Sequence, residues 1–230
     1  MDESVRYNRN REAVGEAEQT ALAESRVLVA GCGGLGGYLV ELLGRVGVGW
    51  ITVADGDVFE ESNLNRQLLA TADEIGRRKV DAAERRMRIV NPLVKLTPVC
   101  EMLTEENARR LLSGQQVAVD ALDNIPARLL LERTAAELGV PLVHGAIAGW
   151  RGRVCVVAPG EGTLHMLYEG APDDGRGEEI YDGSLGFTAA AVASLQAAET
   201  VKLLLKRGEP RNRQLLELDL SSGAWTVFPL

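Results

Sequence analysis

Arg26-Val27-Leu28-Val29-Ala30-Gly31-Cys32-Gly33-Gly34-Leu35-Gly36 decides the fold. A short apolar, β-branched run that ends in glycines reads as the first strand of a parallel sheet. Leu35, Leu39, Leu42, Leu43 and Val46 then recur at helical spacing, so residues 34–47 form the helix that follows. Gly31, Gly33, Gly34 and Gly36 therefore stand between a strand and a helix. In that context glycines let the backbone approach a phosphate while the helix N-terminus offers amides and a positive dipole end. Taken alone, the motif is weak.

Working outward, Trp50-Ile51-Thr52-Val53-Ala54 is a second strand that ends at Asp55. A carboxylate there commonly accepts hydrogen bonds from ribose hydroxyls; the competing reading is a turn former ahead of Gly56. Asn63, Arg66 and Gln67 follow within Ser62-Asn63-Leu64-Asn65-Arg66-Gln67. Together they supply a guanidinium and two amides, groups that hold phosphate oxygens and that hydride transfer does not require. A solvated helix start capped by Ser62 or Asn63 accounts for one of these residues but not for the set. The periodicity predicts a long amphipathic helix over residues 71–90, stopped by Asn91-Pro92. Within it Lys79 can offset phosphate charge in a transition state, while Arg77, Arg78, Arg85, Arg86 and Arg88 read as its wet face.

Strands are expected at 94–99 and 117–121 with a helix at 105–112 between them, then a helix at 125–138 and a strand at 140–143. Asp120-Ala121-Leu122-Asp123-Asn124 ends the fourth strand, at the carboxyl edge where open α/β sheets bind ligands. Asp123 is placed to hold Mg²⁺ on a triphosphate; an N-cap for the following helix is the alternative, open equally to Asn124. Beyond Gly145 the pattern changes. Trp150-Arg151-Gly152 reads as a turn and 154–157 as a strand antiparallel to its predecessor. Residues 159–186 read as a long mobile loop. A helix over 187–206 and strands at 214–220 and 224–228 complete the chain. The expected fold is α/β: a Rossmann-like, mostly parallel sheet with helices on both faces, continuing into antiparallel C-terminal strands. Residues 1–230 form one domain, with 1–25 as an N-terminal arm.

The 230 residues carry 33 Asp+Glu against 25 Lys+Arg, a net charge of -8. That balance argues against non-specific binding to nucleic acid or to an anionic membrane, though not against a local anion site. The N-terminus lacks a secretory pattern and no apolar run has membrane-spanning length, so a cytoplasmic protein is expected. Cys32, Cys100 and Cys155 form no Cys-x-x-Cys pair, which supports neither a disulfide framework nor a cysteine-based zinc site.

The motifs together resemble the MoeB/ThiF/HesA family of ubiquitin-activating-type adenylyltransferases. The resemblance runs from Arg6-Tyr7-Asn8-Arg9-Asn10 through the glycine loop, 55–67, Ile75-Gly76-Arg77-Arg78-Lys79, 120–124 and His144-Gly145-Ala146. It resumes at Ser194-Leu195-Gln196-Ala197-Ala198-Glu199. It implies Mg-ATP-dependent adenylation of the C-terminal glycine carboxylate of a small ubiquitin-like sulfur carrier ending in Gly-Gly, with release of pyrophosphate. Asp55 would hold the ribose; Asn63, Arg66, Gln67 and Lys79 the phosphates; Asp123 the magnesium. Arg9 matches an arginine that reaches into the partner's site, which implies a homodimer. Residues 10–25, a polar stretch, would give it that reach. The chain departs from the family where two Cys-x-x-Cys pairs commonly hold zinc: Gly162-Thr163-Leu164-His165-Met166 stands at the first position, and His165 alone cannot make such a site. No zinc is expected, and the absence of a cysteine in 170–184 speaks against covalent transfer of the carrier. His144, ending an apolar strand, reads as a packing residue rather than a general base, because a carboxylate nucleophile needs none. Three rivals remain: a dehydratase acting on modified tRNA adenosine, a nicotinamide-dependent oxidoreductase of the same fold, and a silent docking protein for a ubiquitin-like partner.

Overall fold

The computed structural model describes residues 3–170, 182–208 and 212–230. Its one sheet has eight strands in the order β3-β2-β1-β4-β5-β6-β7-β8. β1 (Arg26–Ala30), β2 (Trp50–Ala54), β3 (Lys95–Val99), β4 (Val117–Asp120) and β5 (Leu142–Ala148) are parallel. β6 (Arg151–Val157), β7 (Gln214–Asp219) and β8 (Ala224–Pro229) each run antiparallel to the strand before. The Rossmann-like sheet and its antiparallel continuation are thus as the sequence implies.

The strands are apolar on both faces because both faces are covered. Val27 and Val29 of β1 join Val117 and Val119 of β4 on one side, under α3 (Gly36–Val46), α4 (Lys79–Val90) and α8 (Gly186–Leu205). Leu28, Ala30 and Ala118 point to the other side, with Leu111 of α5 (Ala108–Leu112), Leu131 of α6 (Ile125–Leu138) and Leu164 of α7 (Thr163–Leu167). Each such fully buried Val or Leu is worth about 1.5–3 kcal/mol, so the period-2 alternation fixes which residues face which layer.

The structure corrects several boundaries. Residues 71–90 are not one helix: a short 3-10 turn, Ala72–Glu74, precedes a break, and α4 starts only at Lys79. Gly76 adopts φ +78, a left-handed conformation that ends helical continuity. Residues 75–79 fold back on 57–59, with Gly76 N donating to Phe59 O and Lys79 N to Asp57 O. The hairpin joining β5 and β6 turns at Gly149 and Trp150, one residue earlier than expected, because Ala148 already pairs with Arg151. β5 also runs on past residue 143 to Ala148, and beyond His144 its strand partner is β6.

The N-terminal stretch is ordered rather than loose. α1 (Glu3–Arg6) is followed by Tyr7, which is buried, and α2 (Glu16–Ala23) buries Leu22. Asn91 Nδ2 donates to Tyr7 Oη and to Gly44 O, both at 2.7 Å. This ties the arm to the C-terminal end of α3. Within 159–186, α7 and the start of α8 are regular, and residues 171–181 lie outside the described part. Among the described residues no helix is long and apolar enough to cross a membrane.

Candidate active site

The strand order reverses between β1 and β4, and a cleft of about 790 Å³ opens there at the carboxyl ends of the strands. Its walls come from the segments that leave β1 (Gly31 to Leu35), β2 (Asp55, Asp57), β3 (Glu101 to Glu105) and β4 (Ala121 to Asn124). Arg66, Gln67, Lys79, Arg128, Ile147 and Ser184 complete it.

The glycines of the loop fall into two physical classes. A Cβ on Gly31 would lie 2.4 Å from Ala121 O, and one on Gly36 only 2.1 Å from Gly31 O. These two are required by the protein's own packing, and Gly31 also takes φ +97. Gly33 and Gly34 are different. Their nearest neighbours would be Gln67 Nε2 at 3.6 Å and Arg66 Cδ and Cγ at 3.9 Å, ordinary contacts that a methyl group tolerates. Nothing in the fold demands glycine there, and both residues leave bare backbone on the cleft wall. Leu35 offers no side-chain cap to α3, whose N-terminus adjoins the cleft wall at Gly34 and Leu35.

Asp55 has a second duty besides any ribose. Its Oδ2 accepts from Cys32 N at 2.7 Å and its Oδ1 from Asp57 N at 2.8 Å, which pins the glycine loop to the end of β2. Both oxygens keep a further lone pair. Lys79, at the start of α4 and almost wholly buried, reaches the cleft and pairs with Asp57 at 2.9 Å. Asp57 is half exposed and was given no role from sequence. An acidic residue two positions past a strand-end aspartate was the available signal.

Arg66 lies over Gly34, its guanidinium held by Ser62 O and Asn65 Oδ1, each at 2.9 Å. Gln67 is buried beside Gly33, and its Oε1 has no hydrogen-bond partner among the described residues. A buried amide left half-satisfied next to a bare backbone fits a site built for a polar ligand. Asn63 does not line the cleft. Its Oδ1 accepts from Glu60 N at 3.0 Å and closes the Glu61–Asn63 turn, the capping role weighed against phosphate binding. For Asp123 the capping alternative falls to its neighbour. Asn124 caps α6, accepting from Ala127 N at 2.9 Å, and Asp123 projects into the cleft with Asn124 Nδ2 at 3.3 Å.

Arg9 is exposed and is not among the lining residues. It stands two residues from Tyr7, which packs against Gly47 at the far end of α3 from the glycine loop. α3 is about 16 Å long at its rise of about 1.5 Å per residue, whereas two extended residues span about 7 Å.

Behind the cleft His144 is buried, its Nδ1 2.7 Å from Asp120 Oδ2. Burial lowers its pKa, outweighing the upward pull of Asp120. It is a neutral, structural histidine, as its sequence context implies. Burial also raises the Cys32 thiol far above its ordinary value, with Asp55 adding to the effect, and pushes Cys155 up to about 12. Neither is a thiolate at neutral pH.

The ThiF family matches residues 7–230. The chain belongs to the ThiF family. Over 227 residues it is 37% identical to the SAMP-activating enzyme E1 of Haloferax volcanii, covering 97% of this chain and 84% of that one. The sulfur carrier protein adenylyltransferase of Thermus thermophilus is 38% identical, with 95% and 84% covered. The sulfur carrier protein ThiS adenylyltransferase of Bacillus subtilis is 36% identical, over 90% of this chain and 62% of that one. Among solved structures, E. coli MccB with ATP superposes with a TM-score of 0.81 at 19% identity, over 97% of this chain and 71% of that chain. PaaA does so with a TM-score of 0.81 at 20% identity, over 99% and 73%. These two establish the fold. The family places the chain among the adenylyltransferases.

Proposed function

We propose that the protein uses Mg-ATP to adenylate the C-terminal glycine carboxylate of a small ubiquitin-like sulfur-carrier protein ending in Gly-Gly, releasing pyrophosphate. The observation that carries this is the unforced glycine pair, Gly33 and Gly34, ringed by Arg66, Gln67 and Lys79 with Asp123 opposite. It is a phosphate cradle with three donors and one acidic residue, and the donor set suits a triphosphate rather than a nicotinamide. The carrier is supported by the names of the relatives from H. volcanii, T. thermophilus and B. subtilis.

The carrier carboxylate attacks the α-phosphorus in line. A new P–O bond forms as the bond to the bridging oxygen breaks, and the electron pair leaves on pyrophosphate. A carboxylate is already ionised at neutral pH, so no general base is needed and His144 has none to offer. Catalysis is then positioning and charge offset. Asp55 accepts from the ribose through its remaining lone pairs. Lys79 exchanges its contact with Asp57 for phosphate oxygens, and Arg66 and Gln67 Nε2 donate from the other wall. Magnesium bound with ATP would neutralise phosphate charge, and Asp123 is the carboxylate placed to hold it, one carboxylate beside phosphate oxygens being a common magnesium environment. Asn63 supports the same wall through its turn.

Arg9 acts on the partner's site in a homodimer, a reading supported by its exposure and its absence from the lining of its own cleft. Without a cysteine pair in the sequence, no zinc is held. The net charge of -8 disfavours a tRNA substrate. The test is ATP–pyrophosphate exchange with a Gly-Gly-ended carrier. The protein should catalyse it, and Arg66→Ala or Asp123→Ala should each reduce it about 10²–10³-fold. Exchange absent from the unaltered protein, or undiminished in both variants, overturns the proposal.

A further inference from the structure

The loop that carries Asp123 is held from behind by a closed ring of hydrogen bonds. Asp120 Oδ1 accepts from Leu122 N at 2.9 Å, and Arg128 Nη2 donates to Leu122 O at 2.7 Å. Both backbone polar groups of Leu122, the residue before Asp123, are thus fixed by side chains. The two side chains are themselves joined. Arg128 Nη1 donates to Tyr168 Oη at 2.8 Å, and Tyr168 Oη lies 3.3 Å from His144 Nε2. His144 Nδ1 meets Asp120 Oδ2 at 2.7 Å.

The direction of each bond follows from its chemistry. Burial keeps His144 neutral, so with its Nδ1 proton directed at Asp120 its Nε2 accepts the hydroxyl proton of Tyr168. Tyr168 in turn accepts from Arg128, which can only donate. In this arrangement every member of the ring has a partner. Arg128 also stacks its guanidinium 5.6 Å from the centre of the Tyr168 ring, and His144 meets the same ring edge-on. Asp120 and His144 are fully buried and Arg128 nearly so. At that depth each bond is costly to leave unmade.

Tyr168 comes from a part of the chain that otherwise has no business with the β4 end. It caps α7, whose first amides Leu164 N and His165 N are accepted by the Glu132 carboxylate of α6. Further along the sequence, Ser184 lines the cleft and its carbonyl accepts from Asn65 Nδ2 at 3.1 Å. Tyr168 thus joins the end of α7 to the Asp123 loop, and Ser184 is held by the residue before Arg66.

We propose that Tyr168 and Arg128 are positioning residues for Asp123: through Leu122 they hold the backbone from which the Asp123 carboxylate would engage nucleotide-bound magnesium, and they tie that backbone to the end of α7. The assignment rests on the adenylation proposed above. Tyr168→Phe removes only the hydroxyl and keeps the ring that packs on Arg128. Arg128→Lys keeps the charge but cannot reach Leu122 O and Tyr168 Oη together.

The experiment measures Mg²⁺-dependent ATP binding by calorimetry, with hydrogen exchange of the segment 120–124 in the same full-length variants. In Tyr168→Phe the Mg²⁺ concentration for half-maximal ATP binding should rise about fivefold, as expected for one lost buried hydrogen bond. ATP affinity at saturating Mg²⁺ should stay within about twofold, and exchange at Leu122 and Asp123 should quicken about fivefold. Arg128→Lys should exceed both effects. A general loosening of the fold would instead weaken ATP binding at every Mg²⁺ concentration and raise exchange across the sheet. Folded Tyr168→Phe with unchanged Mg²⁺ dependence, or with unchanged exchange at 120–124, overturns the proposal. If the unaltered protein bound no ATP the adenylation reading would fall, while the exchange measurement would still decide whether Tyr168 holds the Asp123 loop.

Discussion

Adding a methyl group at Gly33 and at Gly36 should have opposite effects on the same loop. At Gly36 the new Cβ would lie 2.1 Å from Gly31 O and 2.8 Å from Gly31 C, backbone atoms that cannot rotate away. Relief requires α3 to move off β1 by more than an ångström, an overpacking cost of about 1–3 kcal/mol or somewhat more. For a chain of this size each kcal/mol lowers Tm by about 2–4 °C, so Gly36→Ala should melt about 2–12 °C lower. At Gly33 the nearest protein atom to a new Cβ is Gln67 Nε2 at 3.6 Å, and the backbone is not left-handed. The folded state loses nothing and the unfolded chain loses freedom, so Gly33→Ala should be neutral or stabilising by up to about 1 kcal/mol. Its methyl would occupy the approach of the phosphates, and ATP affinity should fall at least about tenfold, or ~1.4 kcal/mol. Thermal melting and titration calorimetry on the two variants separate the effects. A Gly33→Ala protein that binds ATP as tightly as its parent, or a Gly36→Ala protein with unaltered Tm, refutes the division of the glycines into fold and ligand classes.

Arg9→Ala and Asp123→Ala chains should each be nearly inactive, yet after subunit exchange roughly a quarter of the parental activity should return, since half the dimers are mixed and each carries one intact site. No recovery with exchange of subunits confirmed would place Arg9 in its own subunit's site or outside catalysis. Replacing Cys32, Cys100 and Cys155 together by Ala or Ser should leave most ATP–pyrophosphate exchange in place, since the two buried thiols are held protonated; loss of exchange in a folded triple variant contradicts this. Elemental analysis should find no stoichiometric zinc, and chelators should leave Tm unmoved in the absence of nucleotide; one tightly held zinc per chain would show that ligands other than cysteine pairs were overlooked.

What was legible in the sequence follows from range. The apolar β1 run, the glycine loop and the 125–138 helix are local patterns, and the structure reproduces them to the residue or nearly so. Residues 71–90 misled because Ala72, Ile75, Val80, Ala83 and Met87 keep an approximate helical period straight through Gly76. Only the pairing of 75–79 with 57–59 reveals the break, and that same pairing brings Lys79 to Asp57. Tyr168 could not be found at all from its surroundings. It lies in a stretch without periodicity, and its partners His144 and Arg128 stand 24 and 40 residues away.

The change from parallel to antiparallel pairing at β5 has a bearing on how such an enzyme can diversify. Every residue assigned here to nucleotide or magnesium precedes α6, within the β1–β4 units. The lining residues Ile147 and Ser184 come from beyond it, from a strand stabilised by β6 and from the approach to α8. Inheritance can therefore act on much of each wall separately, the contact of Tyr168 with the Asp123 loop being where they are joined. Substitutions in the later wall can retune which carboxylate is admitted while the earlier wall keeps its ATP chemistry, so one ancestral nucleotide cradle can serve a succession of acceptors.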